Sequence, residues 1–216
     1  RARSTALMAS RSAGRRELVV KGASKSTKLI VPNLVPARGG PNLARVSGTK
    51  IVAHRGYSGV YPELTRRAFE EALKLPIHGV ECDVRLTRDQ KLVVFHDAAV
   101  DRTTNGHGVV SRMDWADLRE LNAGTEEDPQ RILLLDELLE LMQDHPGKHI
   151  YIETKHPTVY GPEVDEQTLR VLRYNHLWDA EHVHVVSFSH KAVRYFTQFA
   201  PELETYYLFR LRELRL

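Results

Sequence analysis

Residues 79–84, with the sequence GVECDV, carry the pattern that decides the fold. The run is apolar on most residues, and its two carboxylates, Glu81 and Asp83, come late. Such a run is typical of a strand that is buried on both faces, as in a parallel sheet covered by helices. Because side chains alternate along a strand, Glu81 and Asp83 share one face, and Val80 and Cys82 share the other. The stretch therefore predicts a buried strand that presents two acids together.

Similar short apolar runs recur along the chain and alternate with patterns typical of helices. The runs are 51–54, 91–96, 149–155, 182–188 and 205–209, and the helical patterns are 64–75, 113–121, 136–143, 165–175 and 191–199. This alternation indicates parallel strands joined by crossover helices, hence an α/β fold. With residues 79–84, six strands are expected, fewer than the eight of a complete (β/α) barrel, so two open sheet edges are expected as well.

The C-terminal ends of four consecutive runs carry charged or imidazole side chains. These side chains belong to His54, Arg55, Glu81, Asp83, His96, Asp97, Glu153 and Lys155. In α/β folds, ligands bind at the carboxyl edge of the parallel strands. One shared site at that edge is the simplest explanation for four such strand ends.

Glu81 and Asp83 repel each other unless a cation lies between them, and Glu153 can add a third carboxylate. An all-oxygen ligand set suits Mg²⁺ or Ca²⁺ better than zinc. The alternative is that these acids are solvated, or paired with Arg55 and Arg85. Apolar neighbours on both sides favour burial, where unpaired charge is costly.

His54 and His96 can reach the same strand edge, where one imidazole would accept a proton and the other donate one. For either histidine alone, a packing or edge role is the simpler interpretation, and it is their pairing at equivalent strand ends that favours a catalytic role. Arg55 and Lys155 would supply positive charge, and an arginine suits bidentate contact with a phosphate.

The composition limits the remaining function classes. The 216 residues are 42% hydrophobic and 27% charged, and the chain lacks the roughly 18–20 consecutive apolar residues of a membrane-spanning helix. A single cysteine, Cys82, excludes an internal disulfide framework and a cysteine zinc cluster. Residues 1–50 carry eleven Lys and Arg against one acid, whereas residues 51–216 carry 20 bases and 27 acids. The acidic main part argues against nucleic acid as the principal ligand.

Two regions are therefore expected, divided at residue 50. Residues 1–50 show no persistent helix or strand pattern and are predicted to be a basic N-terminal tail of low order. A transit peptide, or a tether to an anionic membrane or nucleic acid, is the alternative for this segment. The chain shows no secretory signal pattern, so a cytoplasmic location is expected.

Several motifs together resemble the signature of the glycerophosphodiester phosphodiesterase family. They are His54-Arg-Gly56, Pro62-Glu-Leu-Thr65, Glu81-Cys-Asp83, His96-Asp97, Arg102-Thr-Thr104 and Glu153-Thr-Lys155, in the family's order over residues 51–209. The resemblance implies a TIM-barrel-like (β/α) barrel of the phospholipase-C-like phosphodiesterase type, incomplete at its C-terminal end. It also implies metal-dependent hydrolysis of a small glycerophosphodiester to an alcohol and glycerol 3-phosphate, through attack by the substrate's own glycerol hydroxyl.

The resemblance also implies roles for individual residues. Glu81, Asp83 and Glu153 would hold Mg²⁺ or Ca²⁺, His54 and His96 would be the catalytic acid and base, and Arg55, Glu63 and Lys155 would bind substrate. One departure is Leu64, which replaces the family's usual asparagine and removes any polar contact made there. Two alternatives remain: a catalytically silent phosphodiester- or partner-binding remnant, and a sphingomyelinase D-like or phosphoinositide phosphodiesterase.

Overall fold

The computed structural model describes residues 6–10, 17–21, 27–32, 50–177 and 180–210, with side chains described for residues 50–177 and 180–208. The strands are β1 (Ala6–Ser10), β2 (Glu17–Lys21), β3 (Thr27–Pro32), β4 (Lys50–His54), β5 (Gly79–Leu86), β6 (Leu92–Val94), β7 (His149–Thr154), β8 (Val183–Ser187) and β9 (Glu204–Arg210). The helices are α1 (Arg66–Leu73), α2 (Trp115–Leu118), α3 (Leu135–Gln143), α4 (Glu163–Tyr174) and α5 (His190–Phe199).

The sheet forms a ring. The strand order is β4-β3-β2-β1-β9-β8-β7-β5-β6, and β4 also pairs with β5, which joins the two ends and leaves β6 outside the ring. Strands β4, β5, β7, β8 and β9 are parallel neighbours in that order. The predicted α/β arrangement of parallel strands and crossover helices is therefore confirmed for this part of the ring.

Strand alternation separates two apolar clusters on the faces of the parallel strands. On the outer face, Val80, Cys82 and Val84 of β5 pack in one cluster with Phe69 of α1 and Leu138 of α3. A second buried cluster on the other face consists of Val52, Tyr151, Val186, Tyr206 and Leu208. Burial of apolar area on both faces, at roughly 25 cal/mol per Å², explains why the strand runs are almost continuously apolar. Within the described residues, no helix is both long and apolar enough to cross a bilayer.

Strand β6 corrects one expectation, because the run 91–96 does not form a parallel barrel strand. It pairs antiparallel with the end of β5, with Val94 opposite Val84. Residues 87–90 form a tight turn, closed by the Thr87 amide that donates to the Lys91 carbonyl at 3.0 Å, with Gln90 at φ 63°. A turn this short can join only antiparallel strands. The chain thus folds back, and the amide of Phe95 donates to the carbonyl of Asp83 at 2.9 Å.

The first 50 residues contain three strands where no persistent strand pattern is expected. β1 pairs antiparallel with β9, β2 with β1 and β3, and β3 with β4. The edges of β4 and β9, expected to be open, therefore have backbone partners. One partner of β1 is distant along the chain, since its Leu7 lies opposite Phe209, and a pattern search within the segment cannot detect that pairing. The division of the chain into a tail and a domain at residue 50 stays a prediction.

The loop between β4 and α1 brings functional residues to the carboxyl edge of the ring. Thr65 caps α1, since its hydroxyl accepts a hydrogen bond from the Ala68 amide at 3.2 Å. Gly56 has φ +71°, and a Cβ there would lie 2.8 Å from the Ala68 carbonyl carbon. Only glycine combines that backbone conformation with such a close approach to a helix. Thr65 and Gly56 together fix the path of the loop over the strand edge.

Candidate active site

Three carboxylates meet at the carboxyl edge of β5 and β7. Glu81 and Asp83 are fully buried, Glu153 is 1% exposed, and one carboxylate oxygen from each lies within 4.8 Å of the others. The strand register places Asp83 directly opposite Glu153. The structure thus brings together the three acids that the sequence analysis assigned to a metal.

Cationic side chains surround these acids. Lys155 Nζ lies 2.7 Å from Glu153 Oε1 and 3.1 Å from Asp83 Oδ1, and Arg55 Nε lies 3.2 Å from Asp83 Oδ2. Burial lowers the pKa of Lys155, but the charges of Asp83 and Glu153 outweigh it and raise that pKa above its ordinary value. The expected alternative, in which an acid pairs with Arg55, is therefore present for Asp83, and it coexists with the clustering of the three carboxylates. Arg85 instead donates from Nε to the carbonyl of His96 at 2.9 Å.

The donor set fits a hard divalent cation. All three candidate ligands are carboxylates, which is the ligand type that Mg²⁺ and Ca²⁺ prefer. Glu153 Oε2 is buried and has no hydrogen-bond partner among the described residues. A buried carboxylate oxygen without a partner is costly, and a cation beside it would remove that cost.

The end of β4 places His54 and Arg55 beside this cluster. His54 Nε2 lies 3.7 Å from Glu81 Oε2. Arg55 has φ 61°, and its amide donates to the Glu81 carbonyl at 2.9 Å and to Glu81 Oε2 at 3.0 Å. Ser58 Oγ donates to the His54 carbonyl at 2.8 Å and holds the turn that follows. The backbone therefore turns sharply at the strand end, in a conformation that few residues other than glycine adopt.

His96 reaches the same edge from the chain that follows β6. Its Nδ1 lies 2.6 Å from Asp97 Oδ1. Burial lowers the pKa of His96, partly offset by the negative charge of Asp83. The lowered pKa favours the neutral imidazole, which can accept a proton.

Glu63, in the loop after β4, contacts Arg102, a residue for which the sequence predicted no role. Arg55 Nη1 donates to Glu63 Oε1 at 2.9 Å, and Arg102 Nη2 donates to the same oxygen at 2.6 Å. Burial raises the pKa of Glu63, but hydrogen bonds from Arg102 and the charge of Arg55 lower it below its ordinary value overall. Arg102 Nε also donates to Asp97. The only sequence signal for Arg102 is its place in the Arg102-Thr-Thr104 motif.

A polar cleft opens beside Glu63 and Arg102. It has a volume of about 530 Å³, and its lining includes Ser58, Tyr61 and Asn105. The loop on one side is held by side-chain-to-backbone hydrogen bonds, such as that from Thr104 Oγ1 to the Val100 carbonyl at 2.9 Å. This cleft could therefore admit a polar ligand to the side of the candidate site where Glu63 and Arg102 lie.

Comparisons of sequence show which known proteins the chain resembles. A family model described as the glycerophosphoryl diester phosphodiesterase family matches residues 54–215. A Mycobacterium tuberculosis protein named "Probable glycerophosphodiester phosphodiesterase 1" is 43% identical over 170 residues, which cover 72% of this chain and 62% of the relative. A Bacillus subtilis glycerophosphodiester phosphodiesterase is 34% identical over 200 residues, which cover 86% of this chain and 67% of the relative. The chain thus spans less than two thirds of the length of the Mycobacterium relative.

Solved structures share the fold. A glycerophosphodiester phosphodiesterase from Agrobacterium tumefaciens superposes with a TM-score of 0.63 at 29% identity, over 71% of this chain and 64% of that one. An Oleispira antarctica phosphodiesterase, solved in complex with the product sn-glycerol-3-phosphate, gives a TM-score of 0.64 at 29% identity, over 71% and 63%. The expected TIM-barrel-like fold is confirmed. With the family model covering most of residues 50–216, the chain belongs to the glycerophosphoryl diester phosphodiesterase family.

Proposed function

We propose that this chain is a metal-dependent phosphoric diester hydrolase that cleaves glycerophosphodiesters to an alcohol and glycerol 3-phosphate. The observation that carries the proposal is the meeting of three buried carboxylates, two cationic side chains and two histidines at one strand edge. The names of the curated relatives and the product bound to the Oleispira enzyme support the substrate class.

The carboxylates would hold the cation. Glu81, Asp83 and Glu153 are the ligands in this proposal, and Mg²⁺ or Ca²⁺ is the cation. When bound, the cation supplies positive charge that stabilises the phosphate oxygens in the transition state. The choice between the two ions stays a prediction.

The side chains of Arg55 and Lys155 would add positive charge beside the bound phosphodiester. Both lie within 3.2 Å of the carboxylate cluster, and both are largely buried. Charged donors in a partly dry site stabilise a phosphodiester more strongly than in water. Glu63 keeps Arg55 oriented through the contact at 2.9 Å, in addition to its proposed place beside the substrate.

The two histidines would move protons. His96, whose lowered pKa favours the neutral imidazole, is suited to take a proton from the attacking hydroxyl, and His54 would then give one to the leaving alcohol. Attack by the substrate's glycerol hydroxyl on phosphorus would release the alcohol and leave a cyclic phosphodiester, which water would then open to glycerol 3-phosphate. Each step requires one base and one acid, and the two histidines reach the strand edge from different chain segments. If His54 is instead the base and His96 the acid, removal of either imidazole is still expected to lower kcat.

The reaction can be followed by ³¹P NMR with glycerophosphocholine and glycerophosphoethanolamine, in Mg²⁺, in Ca²⁺ or with chelator. We expect metal-dependent release of glycerol 3-phosphate, and a loss of about 10²–10⁴-fold in kcat for His54→Ala. His107→Ala is the matched control, because His107 is an exposed histidine in the loop after β6, where its Nδ1 lies 3.1 Å from Asp101 Oδ1.

Three results would count against the proposal. A folded chain without turnover would favour the silent phosphodiester-binding alternative. Turnover only with sphingomyelin or phosphoinositide substrates would favour the larger-headgroup alternative. Equal losses in His54→Ala and His107→Ala would show that the strand edge is not the site of chemistry.

Two further expectations concern the surroundings of the enzyme. The net charge of +10 in residues 1–50 supports peripheral contact with an anionic membrane through this segment. Vesicle binding that weakens with added salt would support that contact, and salt-independent binding would contradict it. A cytoplasmic location and the absence of nucleic acid as a ligand stay predictions.

A further inference from the structure

The inference concerns Arg102 and rests on the proposed function. Arg102 follows the His96-Asp97 motif by five residues and contacts carboxylates from two different loops. Its guanidinium donates from Nη1 to Glu63 Oε2 at 3.2 Å and from Nη2 to Glu63 Oε1 at 2.6 Å. On its other side, Nε donates to Asp97 Oδ2. One rigid fork therefore holds both loops at fixed separation.

Asp97 passes this constraint to His96. Each oxygen of its carboxylate has a separate partner: Oδ2 accepts from Arg102, and Oδ1 lies 2.6 Å from His96 Nδ1. The hydrogen bond from Arg102 is the main cause that lowers the pKa of Asp97 to about 2. An ionised carboxylate can only accept hydrogen bonds. The proton of the neutral imidazole must therefore lie on Nδ1, which leaves the lone pair on Nε2.

The other end of the fork leads to the carboxylate cluster. Glu63 Oε1 also accepts from Arg55 Nη1 at 2.9 Å, and Arg55 Nε lies 3.2 Å from Asp83. An unbroken series of charged contacts thus joins His96 to Asp83 through Asp97, Arg102, Glu63 and Arg55. A displacement of Arg102 would loosen both His96 and Arg55 at once.

The contact between Arg102 and Asp97 is what keeps the Asp97 carboxylate oriented towards His96. Asp97 is 28% exposed in its side chain, so without Arg102 water competes for its oxygens and its carboxylate can rotate away from His96. Without the hydrogen bond to Asp97, the proton of the neutral His96 imidazole would distribute between Nδ1 and Nε2.

We propose that Arg102 is a positioning residue, which fixes the Nδ1–H tautomer of His96 through Asp97 and aligns His96 with Arg55 through Glu63. Arg102 need not touch the substrate for this role. Its contribution is to keep the unprotonated Nε2 of His96 available as the proton acceptor.

Arg102→Gln removes the charge and the fork, and Arg102→Lys keeps the charge alone. Arg88→Gln is the matched control, since the exposed Arg88 donates to both oxygens of Asp114 in a similar fork that includes neither Glu63 nor Asp97. The first readout is the ¹⁵N NMR spectrum of the His96 imidazole at neutral pH, assigned with His96→Gln. We expect Nδ1–H in the intact chain and in Arg88→Gln, and a mixture of tautomers in Arg102→Gln.

The second readout is steady-state kinetics with glycerophosphocholine. A positioning role predicts a fall of about 10–100-fold in kcat for Arg102→Gln with KM changed by less than about threefold, and partial recovery in Arg102→Lys. A rise in KM with an unchanged His96 tautomer would overturn the proposal and make Arg102 a substrate contact. An unchanged tautomer in Arg102→Gln overturns it in any case. Because the NMR readout needs no turnover, failure of this inference is distinguishable from failure of the proposed function.

Discussion

Lys155 balances the charge of the carboxylate cluster, because its ammonium group contacts both Asp83 and Glu153. Its side chain is only 12% exposed, so removal of its charge leaves two buried carboxylates without their closest cation. The loss of one partner of a buried ion pair costs about 3–5 kcal/mol. We therefore expect Lys155→Met to lower the free energy of unfolding by about that amount in chelator, measured by urea unfolding.

Urea unfolding in the presence of a divalent cation provides a second test of the role of Lys155. Added Mg²⁺ or Ca²⁺ is expected to stabilise Lys155→Met more than the intact chain, because the cation replaces the missing charge. Lys74→Met is the control, since Lys74 pairs with Glu71 at the surface and should leave the stability nearly unchanged. Equal stability of Lys155→Met and the intact chain in chelator would contradict this account.

Leu64 shows what a single sequence position can and cannot reveal. From the sequence alone, the replacement of asparagine by leucine at this position predicts the loss of a polar contact. In the structure Leu64 has φ 62° and is buried. Asparagine is several-fold enriched in that backbone region, so the usual residue has a conformational reason as well. Motif matching identified the position, but the backbone angle is visible only in the structure.

The packing of the β4–α1 loop on α1 can be tested at Gly56. Gly56→Ala would bring a Cβ within 2.8 Å of Ala68, in a backbone conformation with φ +71°. Gly147 is the matched control, because it has φ +86° but nothing within 4 Å of its Cβ position. The left-handed conformation alone costs about 1–2 kcal/mol in either variant.

We expect Gly56→Ala to be clearly less stable than Gly147→Ala in urea unfolding, because only Gly56 also clashes with the helix backbone. The Gly56→Ala variant should also lose activity, because the same loop carries Arg55 and Glu63. Equal stability of the two variants would show that the close contact with α1 contributes nothing.

Elements differed in how well the sequence predicted them. The runs that became β5, β7 and β8 are buried on both faces, so their apolar pattern is strong and their bounds agree within about two residues. Strand β6 was assigned to the wrong kind of pairing, because a short apolar run does not show the direction of its neighbour. The error did not displace His96 from the site, since the hairpin returns the chain to the level of Asp83.

The ring as a whole has a stack of imidazoles at the end opposite the carboxylates. His78 and His149 stack with ring centroids 3.8 Å apart, His149 Nδ1 lies 2.8 Å from His184 Nε2, and His184 Nδ1 lies 2.8 Å from Glu204. Burial, with the charge of Lys50 second, lowers the pKa of His78 to about 4. Burial, with the charge of His78 second, lowers the pKa of His149 to about 3.

These shifts predict how stability depends on pH. A histidine with a pKa below its unfolded value of 6.5 favours the fold in its neutral form. This stability is present above pH 6.5 and is lost as the pH falls from 6.5 towards 4, because the unfolded chain binds more protons. We expect the urea midpoint to fall over that range, and to fall less in His149→Gln. The exposed His107→Ala is the control and should keep the full pH dependence, whereas an unchanged slope in His149→Gln would contradict the account.

At the scale of the whole molecule, the sequence predicted the proximity of the candidate residues better than the closure of the ring. The site residues lie at strand ends, so order along the chain and the rule for parallel sheets suffice to bring them together. The pairing of β1 with β9 joins opposite ends of the chain, and no local pattern encodes such a distant partner. For the same reason the contact of Arg102 with Glu63, 39 residues apart, was not foreseen.

The rate of glycerol 3-phosphate release as a function of free Mg²⁺ or Ca²⁺ tests the central claim most directly. The account predicts saturable activation that chelator abolishes and that Asp83→Asn shifts to much higher metal concentration or removes. Asp101→Asn, in the exposed loop acid Asp101, should leave the curve unchanged. Full turnover in chelator, or the same metal dependence in Asp83→Asn as in the intact chain, would contradict the assignment of a metal to Glu81, Asp83 and Glu153.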